Sequence, residues 1–137
     1  MCKKITATLL LIALLCGLSA CGSRTAQYEM QAVEMLNAIY YEDVEAAYAL
    51  LHPEIGLTPE DYEKGFVEYI SLMAGVTWDY YSVVDVDTEG SLAEGQEYKE
   101  SCRLAVTLKD EREMILEYVY VKNSQGDGLM RFTLGGK

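Results

Sequence analysis

The residues able to do chemistry are four cysteines, a single histidine, and a set of tyrosines and carboxylates. Cys21 closes the stretch LLCGLSAC, directly after small residues and an apolar run. A thiol there is a structural residue, a nucleophile or an attachment point. Zinc needs a His/Cys cluster, and one histidine with one thiol beyond residue 21 cannot build one. DVDTEG at 85–90 alternates acids before a glycine, but no glutamate falls in step at the twelfth place of a calcium loop counted from Asp85. NSQGDG at 123–128 joins two strand-like runs with no helix after it, so it is not a phosphate loop. No cofactor-binding pattern is present.

The surroundings of Cys21 decide among its roles. Lys3 and Lys4 form a positive start, and Ile5 to Ala20 is an uncharged, leucine-rich run ending in small residues. That run is shorter than the ~20 apolar residues a spanning helix needs. Leu18-Ser19-Ala20-Cys21 resembles the lipobox of bacterial lipoproteins. The resemblance implies a diacylglyceryl group on Cys21, cleavage before it, and a mature protein lipid-anchored on the extracytoplasmic side of a bacterial cell membrane, in the cell envelope. Residues 1–20 are then a signal peptide, 21–27 the lipidated cysteine and a short tether, and 28–137 the domain. Cys2 and Cys16 leave with the signal, Cys21 carries lipid, and Cys102 remains as one thiol without a disulfide partner. Cys102 shares its side of an alternating run with Leu104, Val106 and Leu108, which makes it a small buried hydrophobe.

Charge narrows the partners. The full chain has 11 basic and 22 acidic residues and a net charge of −11; losing Lys3 and Lys4 makes the mature chain more negative still. Nucleic acid is thereby excluded as a partner, and anionic headgroups repel the surface. Attachment to the bilayer rests on acyl chains, at about 0.8 kcal/mol per buried methylene.

The elements that position these residues follow from periodicity. Met30, Val33, Leu36 and Tyr40 share a side at helical spacing over 26–41. Asp43 caps a second helix, whose Val44, Ala47, Tyr48 and Leu51 again align before His52-Pro53 stops it. Thr58 as cap, Pro59 at the first helical position and Glu60-Asp61 in the first turn start a third. Its buried stripe is Tyr62, Phe66, Tyr69, Ile70 and Met73. From Val76 the period becomes two. Strands are expected over 76–88, 98–109, 113–122 and 129–134. Three helices followed by a four-stranded antiparallel meander make an α+β two-layer domain.

The order of elements, with YYEDVEAAYALLHPE between the first two helices, resembles the NTF2-like (cystatin-like cone) superfamily, in particular its small lipoprotein domains of unknown function. Asp43, Ala46, Ala47, Leu50, Leu51, Pro53 and Glu54 occupy the places of a helix start and an LL-x-P-E-like ending. The resemblance implies a curved sheet forming a cone, shallow here because four strands are countable where many members have more. Enzymes of that superfamily, such as isomerases and dehydratases, set a base beside tyrosines in the cavity. Tyr80, Tyr118, Tyr120, Trp78 and Glu100 are the corresponding pocket candidates, although Glu100 near a strand start is expected at the solvated rim. His52 is assigned a structural role at a helix end. The opposite sheet face offers Tyr81, Val83, Ile115, Val119 and Val121, with Ala105 and Leu129, as an apolar set for a homodimer or a protein partner.

Two functions follow. One is a non-enzymatic, membrane-anchored binding or interaction module; the alternative is an isomerase- or dehydratase-type enzyme acting on a small apolar substrate, with Glu100 or Asp79 as base. An interior acid or base beside tyrosines is what separates them: Glu100 buried in a closed cavity and hydrogen-bonded to a tyrosine hydroxyl would favour the enzyme.

Overall fold

The computed structural model describes residues 25–137. Cys21 and the expected signal peptide lie outside the described residues. Helix α1 is Glu29–Tyr40, α2 is Val44–Ala49, a 3-10 turn follows at Pro53–Ile55, and α3 is Pro59–Leu72. The strands are β1 Trp78–Gly90, β2 Tyr98–Leu108, β3 Glu113–Asn123 and β4 Gly126–Gly136. They pair antiparallel in the order β1-β2-β3-β4, an open four-stranded sheet. The α+β class and the element order agree with the periodicity.

Local signals place the helix ends. Asp43 accepts from the Ala46 amide at 2.9 Å, and Thr58 accepts from the Asp61 amide at 3.2 Å ahead of Pro59. Each satisfies one of the amides a helix start leaves without a partner. The buried stripe of α1 is broader than expected and rotated: Ala32, Val33, Met35, Leu36, Ala38 and Ile39 are buried, while Met30 and Tyr40 are exposed. Alanines supply part of that stripe because a helix can approach a sheet closely only through small side chains.

One sheet face packs on the helices. Leu104, Val106 and Leu108 of β2, Met114 and Leu116 of β3, and Leu129, Phe132 and Leu134 of β4 form the core with α1 and Phe66 of α3. Cys102 is buried among them, as its alternating run implied. The hairpin between β3 and β4 is tight: Asn123 pairs with Gly126, so Gly126-Asp127-Gly128 belong to the strand rather than to a long turn.

Bulges revise the expected facing of several residues. In β1 the register skips Asp79 between Trp78 and Tyr80, and Val84 between Val83 and Asp85. Each extra residue inverts the alternation downstream. Tyr81 therefore pairs with Val106 and Val83 with Leu104, both core residues, so neither belongs to the outer face. Tyr80 pairs with Thr107 and is 60% exposed, so it does not point inward. A shift in β4 between the Val119 and Tyr120 partners likewise turns Leu129 into the core. Ile115, Val119 and Val121 do lie on the outer face, half-buried beside Ala105.

The open edge of β4 is covered by the chain after α2. Leu51 bridges Leu129 in parallel, the His52 amide donates to the Leu129 carbonyl at 2.9 Å, and the Leu129 amide donates to the Leu50 carbonyl at 2.8 Å. Gly128 makes this approach possible. It has φ +153°, and a Cβ there would lie 2.6 Å from the His52 nitrogen and 2.7 Å from the Leu51 carbonyl carbon. Gly128→Ala is expected to lower unfolding stability by about 3 kcal/mol, since backbone must move. Gly95→Ala, with φ +76° in open space, should lose only about 1 kcal/mol. Urea titration of the two variants measures the contrast, and equal losses would refute the close-approach account.

Candidate functional site

The sheet carries one buried carboxylate, and everything near it is arranged as a donor. Glu100 on β2 is fully buried. The pleat puts it on the inner face with Tyr98 two residues earlier, and across the ladder it sits opposite Tyr120 and diagonal to Tyr118. The Tyr98 hydroxyl donates to Oε2 at 2.7 Å and the Tyr118 hydroxyl to Oε1 at 2.6 Å. The remaining two positions are filled by backbone. The Gln27 amide donates to Oε2 at 2.9 Å and the Tyr28 amide to Oε1 at 3.0 Å.

These two amides stand at the entry of α1, for which Tyr28 is the cap residue with no side-chain cap of its own. From the sheet, Glu100 takes the amide of Tyr28 at the helix start and that of Gln27 just before it. Its negative charge faces the positive end of the helix dipole, and it satisfies amides that the chain's own side chains leave open. Burying a carboxylate costs several kcal/mol when it is unpaired, and four donors on two oxygens are what offset that cost. The expectation of a solvated rim fails for this reason: the N-terminal segment folds over the start of β2 and closes it from water.

Tyrosine rings complete the closure. Tyr28 stacks on Tyr120 with centroids 3.7 Å apart and planes 9° apart, and tilts against Tyr98 at 5.8 Å. Tyr120 donates its hydroxyl to Asp127 at 2.7 Å. Burial and the carboxylates they donate to push the hydroxyls of Tyr98, Tyr118 and Tyr120 up. Burial pushes the Tyr62 hydroxyl up to about 12 and the Cys102 thiol up to about 11. A thiol so raised is a poor nucleophile.

The pocket candidates thus separate. Glu100, Tyr118 and Tyr120 come together with Tyr98. Trp78 lies elsewhere, half-buried, its indole donating to Asn37 of α1 at 3.0 Å and its ring edge-on to Tyr81. Tyr80 faces away from the cluster. Asp79 is exposed and paired with Lys109 at 2.9 Å. Tyr98 and the N-terminal amides were not among the candidates. The spacing Tyr98-Lys99-Glu100 at the start of an alternating strand was the available signal for the tyrosine; nothing local announces contacts more than 70 residues apart.

His52 has the structural role expected of it, carried by hydrogen bonds. Its buried ring accepts from the Glu54 amide at Nδ1, 3.1 Å, and so carries hydrogen on Nε2, which lies 3.1 Å from both the Gly126 carbonyl and the Asn123 Oδ1. The histidine therefore ties the 3-10 turn to the β3–β4 hairpin through a neutral tautomer.

Surface hollows lie away from the carboxylate. One of about 240 Å³ opens on the outer sheet face among Asp85, Asp87, Arg103, Glu117, Val119 and Arg131. There Arg103 is held by Glu117 at 2.9 Å and by Asp85 at 3.6 Å. Another, about 600 Å³, lies between residues 25–29 and the middle of β1. Neither is lined by Glu100. Among the described residues, no group of His, Cys, Asp or Glu is arranged to hold a metal ion, and no helix is long and apolar enough to cross a membrane.

Comparison of the chain with protein families, curated proteins and solved structures yields no match.

Glu100→Gln presents an amide NH₂ to a site built only of donors. It is expected to lower stability by about 3 kcal/mol and to speed hydrogen exchange of the Gln27 and Tyr28 amides above that of the rest of α1. Loss of stability without local exchange at residues 27 and 28 would refute the clamp. Alkaline pH supplies a second check. The folded chain keeps protons on Cys102 and Tyr62, with Tyr98, Tyr118 and Tyr120, that the unfolded chain releases, so stability is complete below pH 9 and falls as pH rises from the ordinary thiol value of 9.0 toward about 12. Denaturant midpoints that stay flat between pH 9 and 12 would contradict this.

Proposed function

We propose that this chain is a bacterial lipoprotein, anchored through acylated Cys21 on the extracytoplasmic side of the membrane, whose α+β domain of NTF2-like type works as a non-enzymatic interaction module. The observation that carries the reading is the use made of Glu100. The one buried carboxylate among the described residues is spent on fixing the start of the domain, at Gln27 and Tyr28 just after the lipobox-like sequence, with both oxygens doubly occupied. Such a carboxylate holds the domain to its anchor and has no lone pair left for a substrate proton. The outer sheet face supplies the docking surface: Ala105, Ile115, Val119 and Val121 form a half-buried apolar strip flanked by Arg103 and Arg131. Arg103 is paired there with Glu117 and Asp85, so the strip has a border of mixed charge, suited to a protein partner or to a second copy.

The alternative is isomerase- or dehydratase-type chemistry on a small apolar substrate. Glu100 beside the Tyr98 and Tyr118 hydroxyls favours it, since that pairing is the acid–base arrangement such enzymes need. It requires the Gln27–Tyr28 backbone to withdraw and open a cavity where rings and amides now pack.

Expression of the chain in a bacterial host tests the anchor. The mature protein is expected in the membrane fraction with a diacylglyceryl mass on Cys21, and Cys21→Ala is expected to move it to the soluble fraction. An unmodified Cys21 in intact-mass spectra would end the lipoprotein reading.

A further inference from the structure

We propose that the face formed by the chain entry and the middle of β1 rests on the bilayer, with Val83 and Val84 in the headgroup region; this rests on the lipoprotein reading above. The described chain begins at Thr25, and from Cys21 to that residue four residues span at most about 14 Å. Because Glu100 holds the amides of Gln27 and Tyr28, the chain leaves the domain at one fixed place. The hollow of about 600 Å³ opens at that place, between Thr25, Ala26 and Glu29 on one side and Val83, Val84 and Val86 on the other. An acyl anchor this close brings whatever borders the exit to the membrane first.

The composition of the border fits a lipid surface. Val84 is the bulge residue of β1 and is 53% exposed, while Val83, on the core side of the strand, is still 40% exposed where it lines the hollow. An edge strand bearing two adjacent exposed valines is a liability in water. The bulge that turns Val84 out also breaks the ladder there, which disfavours pairing with another strand and leaves the valines to an apolar phase. Glu29, Asp85 and Asp87 around them set the lipid preference: zwitterionic headgroups accept this surface, and anionic ones repel it.

The test places an environment-sensitive fluorophore on Val84→Cys, and in a second chain on Val83→Cys, of the full-length acylated protein in phosphatidylcholine vesicles. Val67→Cys on α3 is the comparison, because Val67 is 61% exposed and would be favoured if exposure alone governed contact. Native Cys102 is buried and stays unlabelled. The expected result is a blue-shifted emission at 84 and 83 and about threefold less quenching by aqueous iodide than at 67, as for groups seated at the headgroup boundary. Replacing a third of the lipid with phosphatidylglycerol should reduce the difference. Vesicle-bound protein whose labels at 83 and 84 are quenched like that at 67 overturns this inference and leaves the anchor intact, whereas absence of acyl mass on Cys21 overturns both. A blue shift that follows protein concentration in the vesicle-free Cys21→Ala background also overturns it, in favour of a second copy on this face.

Discussion

A carboxylate taken out of water must be given as many hydrogen bonds as it loses, and the way Glu100 meets that requirement organises this domain. Two of its donors are tyrosine hydroxyls on the sheet, Tyr98 and Tyr118, and two are backbone amides at the entry of α1. The same four bonds therefore do three things. They satisfy the charge, fix the two residues that lead into α1, and join the first described residues to the second and third strands. Among the described residues, these are the charge-assisted bonds that link the chain entry to the sheet, and Tyr28 stacks on Tyr120 beside them.

The β4 edge of the sheet, in the same rows as Glu100, is closed by a different means. There His52 accepts at one nitrogen and donates at the other, Asn123 donates to the Glu54 carboxylate at 3.0 Å, and Gly128 lets two backbones approach where a side chain would intrude. The two closures leave the β1 edge as the side of the sheet with no covering segment among the described residues. It is protected by bulges at Asp79 and Val84 and by a run of acids, the usual devices against strand pairing. The chain entry and the uncovered edge lie together, which is the arrangement that the proposed membrane contact uses.

Much of the fold was legible because it depends on local signals. Asp43 and Thr58 mark helix starts by side chains that reach their own backbone three residues on, and the shift of period from near 3.6 to 2 after Gly75 marks the change from helices to sheet. The facing of β1 was not legible. A bulge leaves no mark in a run such as YYSVVDV, where either parity places apolar residues inward, so Tyr80 was expected inside and Tyr81 and Val83 outside, and the register reverses all three. The candidate site was legible in part for the same reason. Alternation along β2 and β3 brought Glu100, Tyr118 and Tyr120 to one face, but a charged residue two positions into a strand carries no local sign of burial.

The sequence by itself determined the element order, the α+β class, the burial of Cys102, the acidic balance and the lipobox-like motif at Cys21, each a property of neighbouring residues or of composition. Only the tertiary structure decided what Glu100 does. Its partners at residues 27 and 28 are more than 70 positions away in the chain, and backbone amides are the same at every non-proline position, so no choice of side chain at those positions could have announced the contact. Whether a carboxylate is a base at a rim or an anchor in a core depends on which amides the fold brings to it, and that is settled by packing rather than by pattern.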